Sequence, residues 1–289
     1  MKYCPTDNKF VGTDGPAVKG DIPHVMWHVT DVCPLSCPYC FARKTDRGLP
    51  EEYITPIVEK LSAIGVQKVD LSGGEPLAYK HLNQVCRELW SAGIHTTLTT
   101  SGVGAKTNKE FVISNCKSFA RLMVSLDAFG DDHDRLRQRP GAWEDALAFI
   151  RSIDTHTRME RCRINTVVTK PYLDSGWGDK LGTMVKNLGV REWCLIQPHP
   201  ANKKSDFDEY SINDSDFRAE VTRCQTSDFC RQIITRQNSL YSTYWNIQPD
   251  GTLQQHTETA ADRNSVSLID QSTTDIQSFL KESITIVPT

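Results

Sequence analysis

Residues 33–41 read Cys-Pro-Leu-Ser-Cys-Pro-Tyr-Cys-Phe, so Cys33, Cys37 and Cys40 stand in a C-x3-C-x2-C spacing. Three thiolates so close together suit a cubane iron–sulfur cluster that the protein holds at three of its four irons. The fourth iron then stays open to a small molecule, which turns an electron-transfer centre into a reaction centre. We therefore predict that the three cysteines bind a 4Fe–4S cluster.

Two structural alternatives for these cysteines are weaker. A zinc site normally needs four ligands, and no fourth Cys or His follows at the usual spacing. His28 lies upstream, but within the strand-like run His24–Val29 it is expected to be a packed or hydrogen-bonded histidine. Disulfides are disfavoured because ten cysteines in 289 residues are spread without pairing and Met1–Cys4 does not start a signal peptide.

A second motif, Gly73-Gly74-Glu75-Pro76, follows the apolar run Val69–Ser72. Together the two motifs resemble the radical S-adenosylmethionine (radical SAM) superfamily. The resemblance implies that the open iron binds the amino and carboxylate groups of S-adenosylmethionine, and that the GGEP turn positions the amino group. It covers roughly residues 22–200.

The composition is that of an ordinary globular protein, with 38% hydrophobic and 24% charged residues. No run approaches the roughly 18 apolar residues of a membrane span, so no membrane association is expected. A net charge of −3 gives no electrostatic basis for binding nucleic acid. Reduced thiols and an oxygen-sensitive cluster predict a cytoplasmic protein.

After an extended lead-in at residues 1–21, strand-like and helical patterns alternate. Six runs predict strands, at His24–Thr30, Lys68–Ser72, His95–Thr100, Arg121–Leu126, Arg163–Thr169 and Glu192–Gln197. Five intervening stretches predict helices, at Glu51–Ile64, Leu77–Ala92, Asn108–Cys116, Ala142–Ile153 and Gly178–Asn187. Strands that alternate with helices pair in parallel, and six units are too few to close an eight-stranded barrel. We predict an α/β fold, a partial (β/α)6 radical SAM barrel over residues 22–200 with a C-terminal α+β cap at residues 201–289.

The cap is predicted from weaker patterns. Asp214–Arg236 reads as a helix, Leu240–Ile247 and Thr252–Gln255 as two strands around a turn, and Ser272–Glu282 as a helical patch. Ile247–Thr252 resembles the start of the extension that holds an auxiliary cluster in many family members. His256 stands where a cysteine is expected there, so we predict no second cluster. Cys86 and Cys116 are predicted to be core residues, while Cys162, Cys194, Cys224 and Cys230 remain candidate ligands.

Ligands of parallel sheets bind at the carboxyl ends of the strands, where both motifs lie. The resemblance implies further contacts to S-adenosylmethionine at strand ends, where Ser101 replaces the family's Asn. Asn165 is a polar residue inside an apolar run, which favours a partner in the barrel lumen. The predicted cofactor-binding residues are Phe41, Gly73, Gly74, Glu75, Thr100, Ser101, Ser125, Asp127, Asn165 and Ile196.

Three segments, Phe41–Thr45, Arg163–Val168 and Trp193–Pro198, resemble the viperin-like branch, which acts on nucleoside triphosphates. This resemblance implies that Lys44, Arg163 and Cys194 lie near the substrate, with the two cations suited to phosphate. A solvated loop face is the alternative for Lys44. Glu192 and Cys194 stand where that branch carries basic residues, which leaves other substrates open.

The predicted activity is reductive cleavage of S-adenosylmethionine to a 5′-deoxyadenosyl radical that abstracts hydrogen from a small-molecule substrate, with a nucleotide as the first candidate. The resemblance also implies an electron donor, either a reductase or a flavodoxin or ferredoxin. A sugar- or nucleoside-modifying enzyme, in which Cys194 donates a hydrogen atom, is an alternative, as is a peptide-modifying enzyme. A non-catalytic iron–sulfur carrier is a further alternative, although it needs neither an open iron nor a GGEP turn.

Overall fold

Strands and helices alternate along most of the chain. The computed structural model describes residues 2–4, 9–11, 22–40, 42, 44–199, 207–236, 245–255 and 264–283. Within the lead-in, β1 (Lys2–Cys4) and β2 (Lys9–Val11) form a short antiparallel pair. The next six strands are β3 (His24–Thr30), β4 (Lys68–Gly73), β5 (His95–Thr100), β6 (Arg121–Ser125), β7 (Cys162–Val167) and β8 (Glu192–Ile196). Each pairs in parallel with the next, which confirms the six predicted strands and the partial barrel.

The five predicted helices are present, and short helices join them. The helices are α1 (Ile54–Ala63), α2 (Leu82–Ser91), α3 (Lys106–Ser114), α4 (Asp131–Arg137), α5 (Ala142–Ser152), α6 (Thr155–Arg161), α7 (Lys170–Asp174), α8 (Trp177–Leu188), α9 (Asp214–Gln225) and α10 (Thr273–Ser283). The sequence pattern does not predict α4, α6 and α7, because these helices have seven residues or fewer and are too short to show a helical hydrophobic period.

The two faces of the sheet differ in chemistry. The face toward the helices carries fully buried apolar side chains such as Leu71, Leu98 and Trp193, which pack against α1 and α2 and their neighbours. Because successive side chains of a strand alternate between faces, the residues between them point into the barrel lumen. On β4 those residues are Lys68 and Asp70, so the lumen is polar. Helix packing therefore uses one face, and the other face is available for a ligand.

The chain beyond residue 200 adds strands to both edges of this sheet. β9 (Gln232–Arg236) pairs in parallel with β8, and β10 (Trp245–Ile247) pairs in parallel with β3 at the opposite edge. β11 (Thr252–Gln255) and β12 (Ser265–Ser267) continue from β10 in antiparallel fashion, which confirms the predicted turn between two strands. Within the described residues the main sheet has ten strands. The division at residue 200 stays a prediction.

The predicted helix over Asp214–Arg236 is wrong in its second half. The side chain of Asn213 accepts a hydrogen bond from the Asp216 backbone nitrogen (2.8 Å) and starts α9 where expected. The helix then ends at Gln225, and Gln232–Arg236 forms β9. Two isoleucines and a threonine in that segment favour a strand, and the open edge of β8 supplies its backbone partners. Residues 240–244 of the first predicted cap strand, and His256, lie outside the described residues.

No helix in the described part of the chain combines the length and the apolar character that crossing a membrane requires.

Candidate functional site

The cysteine-bearing loop after β3 closes on itself. The Asp31 backbone nitrogen donates to the Arg47 carbonyl (2.8 Å), and the Leu49 nitrogen donates to the Val29 carbonyl (2.9 Å). Inside this closure the Thr45 hydroxyl donates to the Asp31 carboxylate (2.9 Å). A loop with joined ends presents its side chains from a fixed frame.

The three cysteines have the chemistry that an iron–sulfur cluster requires. Cys37 is buried, Cys33 and Cys40 are partly buried, and none is in a disulfide. Burial raises the pKa of Cys33 to about 11 in spite of the nearby positive charge of Lys44, which acts in the opposite direction. Lys44 donates a short hydrogen bond to the Leu35 carbonyl on the same loop. Binding to iron would replace the thiol protons and stabilise the thiolates.

A mononuclear metal site would need its ligands to converge on one point. Among the residues that the structure describes, no three His, Cys, Asp or Glu side chains do so. A cubane cluster takes each cysteine at a different iron, so it does not need such convergence. The loop therefore fits a cluster better than a single metal ion.

The GGEP turn is held directly against the cysteine loop. The Gly74 nitrogen donates to the Thr30 carbonyl (2.6 Å), and the Glu75 nitrogen donates to the Val32 carbonyl (2.9 Å). Gly73 has a φ of +133°, and a Cβ atom at this position would overlap the Thr30 carbonyl oxygen. The turn needs glycine here because of both the backbone conformation and the close approach.

Glu75 joins this turn to the end of β5. Its buried carboxylate accepts hydrogen bonds from the hydroxyls of Thr100 and Ser101, both at 2.5 Å. It also accepts from the backbone nitrogens of Ser101 (2.7 Å) and Leu77 (3.0 Å). Burial raises the pKa of Glu75 in spite of these bonds. Three predicted site residues are thus brought together, with Glu75 bonded to protein groups.

A cavity of about 170 Å³ opens beside the cysteines at the carboxyl ends of the strands. Six predicted site residues line it, namely Cys37, Cys40, Ser125, Asp127, Asn165 and Ile196. Eight further lining residues are not among the predicted ones, namely Met26, Tyr39, Ser72, Thr99, Arg137, Val167, Arg236 and Asn246. Other predicted residues, including Cys33, Glu75, Thr100 and Ser101, lie outside the lining. Phe41 lies outside the described residues.

The carboxylate of Asp127 binds protein groups on three elements. It accepts from the Tyr39 hydroxyl (2.5 Å) and from the Val167 nitrogen (2.9 Å), and it pairs with the Arg137 guanidinium (2.6 Å). Tyr39 belongs to the cysteine loop, and Arg137 ends α4. The Arg137 guanidinium also lies 3.8 Å from the Cys37 sulfur. Asp127 therefore ties the cluster loop to β7 and α4, and its predicted contact with the cofactor stays a prediction.

Two asparagines of the cavity lining have an amide oxygen without a hydrogen-bond partner among the described residues. Asn165 and Asn246 are 6% and 4% exposed, and the Oδ1 atom of each is buried without a hydrogen bond from any described residue. Buried polar atoms are nearly always paired, so an unpaired one at a cavity indicates a ligand donor. Asn165 was found as a polar residue in an apolar run, and Trp245-Asn246-Ile247 carries the same signal.

The residues predicted near the substrate do not line this cavity. Lys44 lies on the cysteine loop, and Arg163 points into the lumen, where its Nε donates to Glu192 (2.8 Å). Arg121 approaches the other oxygen of Glu192 (3.1 Å). Cys194 is fully buried, and burial raises its pKa. The acid at Glu192 thus compensates cations of the lumen, while the role of Lys44, Arg163 and Cys194 in substrate binding stays a prediction.

A second charged group lies on β3 and β4. Asp70 contacts the His24 ring nitrogen (2.6 Å) and the Lys68 ammonium (3.4 Å). Burial raises the pKa of Asp70, but Lys68 and His24 together hold it well below its usual range. The charges of Arg163 and Arg236 also act on Lys68. The charges around Glu192 and those around Asp70 thus form one electrostatic network. Its cations are Lys68, Arg121, Arg163 and Arg236, and its carboxylates are those of Asp70 and Glu192.

The fold and the site define a class of protein: an α/β partial barrel with a three-cysteine loop and a ligand cavity at the same end of its parallel strands. Residues 27–169 match the family model of the Radical SAM superfamily. The chain belongs to this superfamily, and it is accordingly an enzyme of radical chemistry whose cofactors are a 4Fe–4S cluster and S-adenosylmethionine.

The chain is also similar to individual proteins and solved structures. The chain is 27% identical over 244 residues to an S-adenosylmethionine-dependent nucleotide dehydratase of Flammeovirga pacifica, covering 80% of this chain and 81% of that protein. A protein of the same name from Lacinutrix mariniflava is 26% identical, over 80% of this chain and 50% of its own length. The crystal structure of Streptococcus suis SuiB bound to S-adenosylmethionine superposes with a TM-score of 0.69 at 17% identity. That likeness covers 88% of this chain and 65% of SuiB, and it shows the fold alone.

Proposed function

We propose that this protein is a radical SAM enzyme that acts on a nucleotide and removes water from it. The observation that carries the proposal is the charge of the lumen. Among the described residues, four cationic side chains share one network with two carboxylates. Three of the four are buried, and the fourth, Arg236, is partly exposed and lines the cavity. Guanidinium and ammonium groups beside a cavity suit a phosphorylated ligand. The name of the two relatives that match over 80% of this chain supports the same substrate class.

Cys33, Cys37 and Cys40 would bind the cluster, one iron each. When bound, the cluster and S-adenosylmethionine supply a 5′-deoxyadenosyl radical that takes a hydrogen atom from a substrate carbon. The backbone of the turn at Gly73 and Gly74 would lie beside the bound S-adenosylmethionine.

The strand-end residues Ser125, Asn165 and Ile196 would contact S-adenosylmethionine from the other side. The Oδ1 atom of Asn165, buried and unpaired among the described residues, would accept a hydrogen bond there. Glu75, Thr100 and Ser101 would not contact S-adenosylmethionine; their hydrogen bonds to one another would hold the turn in place.

The chain itself keeps the site rigid and dry. Asp127 holds Tyr39 and Arg137 in place, so the wall between the cluster loop and the cavity is fixed before a ligand arrives. Met26, Val167 and Ile196 make part of the lining apolar. Such a wall excludes water from a radical and holds the substrate carbon in contact with it.

The protein would work in the cytoplasm and would receive its electrons from a reductase, a flavodoxin or a ferredoxin. Each turnover needs two electrons, one to cleave S-adenosylmethionine and one to reduce the substrate radical that remains after water leaves. The substrate is proposed to be a small molecule of the nucleotide class.

Anaerobic turnover tests the proposal. Reconstituted protein is incubated with S-adenosylmethionine, dithionite and a panel of nucleoside triphosphates, nucleosides and sugars. We expect a nucleoside triphosphate to stimulate 5′-deoxyadenosine release and to yield a product that is lighter by one water. Cys37→Ala should lose both the cluster and the product, whereas Cys230→Ala, a partly buried cysteine outside the loop, should keep both. Release that responds to sugars or peptides and to no nucleotide would overturn the substrate class.

A further inference from the structure

The two edges of the parallel part of the sheet contribute to one cavity. Arg236 is the last residue of β9 and pairs in register with Ile196, while Asn246 lies on β10 and pairs with Met26. All four residues line the cavity. The sheet is therefore curled enough for strands from its opposite edges to face the same space.

Arg236 acts electrostatically across the lumen. Its charge reaches Lys68 and Asp70 on β4, and Cys194 on the neighbouring strand β8. Arg236 thus belongs to the lumen network and also places a positive charge at the cavity wall. A guanidinium in this position is suited to phosphate, which it binds through several charge-assisted hydrogen bonds.

Asn246 offers the complementary chemistry. Asn246 lines the cavity and is 4% exposed, and its buried Oδ1 atom accepts no hydrogen bond from the described residues. An amide oxygen accepts hydrogen bonds, so it suits a hydroxyl or amino group of a ligand.

We propose that Arg236 and Asn246 form the substrate-binding side of the cavity. Arg236 binds a phosphate group, and Asn246 accepts a hydrogen bond from a hydroxyl or amino group of the same molecule. This inference rests on the proposed function, because it assigns the nucleotide to particular side chains.

The position of both residues in the chain agrees with a role in substrate binding, although Ile196, proposed above to contact S-adenosylmethionine, also lies beyond the superfamily match. The superfamily match ends at residue 169, and Arg236 and Asn246 lie well beyond it. The cysteines, the GGEP turn and Ser125 all lie inside the match. Residues that shape the same cavity from outside that common part are suited to what differs between members, which is the substrate.

Titration calorimetry on the anaerobically reconstituted, S-adenosylmethionine-loaded protein tests the inference. The probes are a nucleoside, its triphosphate and inorganic tripolyphosphate. We expect Arg236→Met to weaken triphosphate and tripolyphosphate binding roughly tenfold or more, with nucleoside binding unchanged, and Arg236→Lys to recover part of the loss. Asn246→Leu should weaken nucleoside and triphosphate binding alike, by roughly fivefold to tenfold.

Two matched variants serve as controls. Arg231→Met removes an exposed arginine that pairs with Glu160 (3.8 Å) just before the same strand. Asn83→Ala removes another amide whose buried Oδ1 lacks a partner among the described residues, on α2 outside the cavity. Neither should change any affinity, and no variant should alter S-adenosylmethionine binding.

The outcomes separate this inference from the proposed function. This inference would be overturned if Arg236→Met weakened nucleoside and triphosphate binding equally. It would also be overturned if either variant altered the affinity for S-adenosylmethionine, or if Asn246→Leu left the nucleoside and triphosphate affinities unchanged. Tripolyphosphate binding that depends on Arg236, without nucleotide binding, would keep the phosphate site, remove Asn246 from the inference and refute the proposed function. A wild-type protein that binds neither tripolyphosphate nor nucleotide would refute both.

Discussion

Ser101 donates two hydrogen bonds to a single oxygen of Glu75, one from its backbone nitrogen (2.7 Å) and one from its hydroxyl (2.5 Å). The other oxygen of Glu75 has the same kind of surroundings, with the Leu77 nitrogen (3.0 Å) and the Thr100 hydroxyl (2.5 Å). Each carboxylate oxygen therefore faces one backbone N–H that cannot turn away. This arrangement locks the GGEP turn to the end of β5.

Replacing this carboxylate should be costly even by its amide. In Glu75→Gln the amide nitrogen must face either Ser101 or Leu77, so two N–H donors oppose each other in a buried site. We expect a loss of about 1–3 kcal/mol in the free energy of unfolding, measured by urea denaturation, and a larger loss for Glu75→Ala. Glu59→Gln on the exposed face of α1 is the control and should change the free energy of unfolding by less than about 0.5 kcal/mol. A Gln variant as stable as the wild type would contradict the proposed geometry.

Gly74 should tolerate no side chain. A Cβ atom there would lie 2.6 Å from the Asp31 carbonyl oxygen, and both backbones are fixed by hydrogen bonds. Gly74→Ala should lower the free energy of unfolding by roughly 2 kcal/mol or more and reduce the iron content after reconstitution. Gly48→Ala is the matched control, because its Cβ would meet nothing closer than 3.6 Å. Equal effects of the two substitutions in thermal unfolding and iron assays would argue against the close packing of turn and loop.

The sequence was sufficient for much of this site because its signals are local. Strand periodicity placed β3 to β8 almost to the residue, and the motifs follow strand ends that a parallel sheet brings together. Ser125 and Asn165 could be found in the same way, since both terminate or interrupt apolar runs.

What could not be predicted depends on contacts between distant segments. The sequence does not predict that Tyr39 and Arg137 approach the Asp127 carboxylate from two other elements. β9 was mistaken for the end of a helix because the open edge of β8, which decides its conformation, is a feature of the assembled sheet. Arg236 was missed for the same reason.

The ion pairs of Asp70 should show how costly an uncompensated charge is in the lumen. Asp70→Asn leaves the buried Lys68 ammonium and the His24 ring without their carboxylate, and we expect a loss of roughly 3–5 kcal/mol at pH 7. The double variant Lys68→Met/Asp70→Asn should lose less than the single variant, because the buried charge is removed with its partner. A double variant that is less stable than Asp70→Asn in urea denaturation would contradict this expectation.

The same carboxylate predicts a pH dependence. Its cationic neighbours hold the pKa of Asp70 below its unfolded value, so its stabilising contribution is complete above about pH 4 and is lost as the pH falls through the folded value. The difference in unfolding free energy between the wild type and Asp70→Asn should therefore narrow as the pH falls below about pH 4. Urea denaturation above and below this pH measures it, and a difference that widens in acid would reverse the assigned sign.

Arg137 should tune the cluster electronically as well as hold the loop. Its side chain is 11% exposed, and its guanidinium lies 3.8 Å from the Cys37 sulfur and is held in place by Asp127. A positive charge near a cluster stabilises the reduced form, which carries one more electron. Arg137→Met should therefore make the reduction potential more negative, by tens of millivolts, in an EPR-monitored redox titration without substrate. Arg135→Met, which removes a 73% exposed arginine of the same helix, should leave the potential unchanged. An unaltered potential in Arg137→Met with full iron content would restrict this residue to holding the loop.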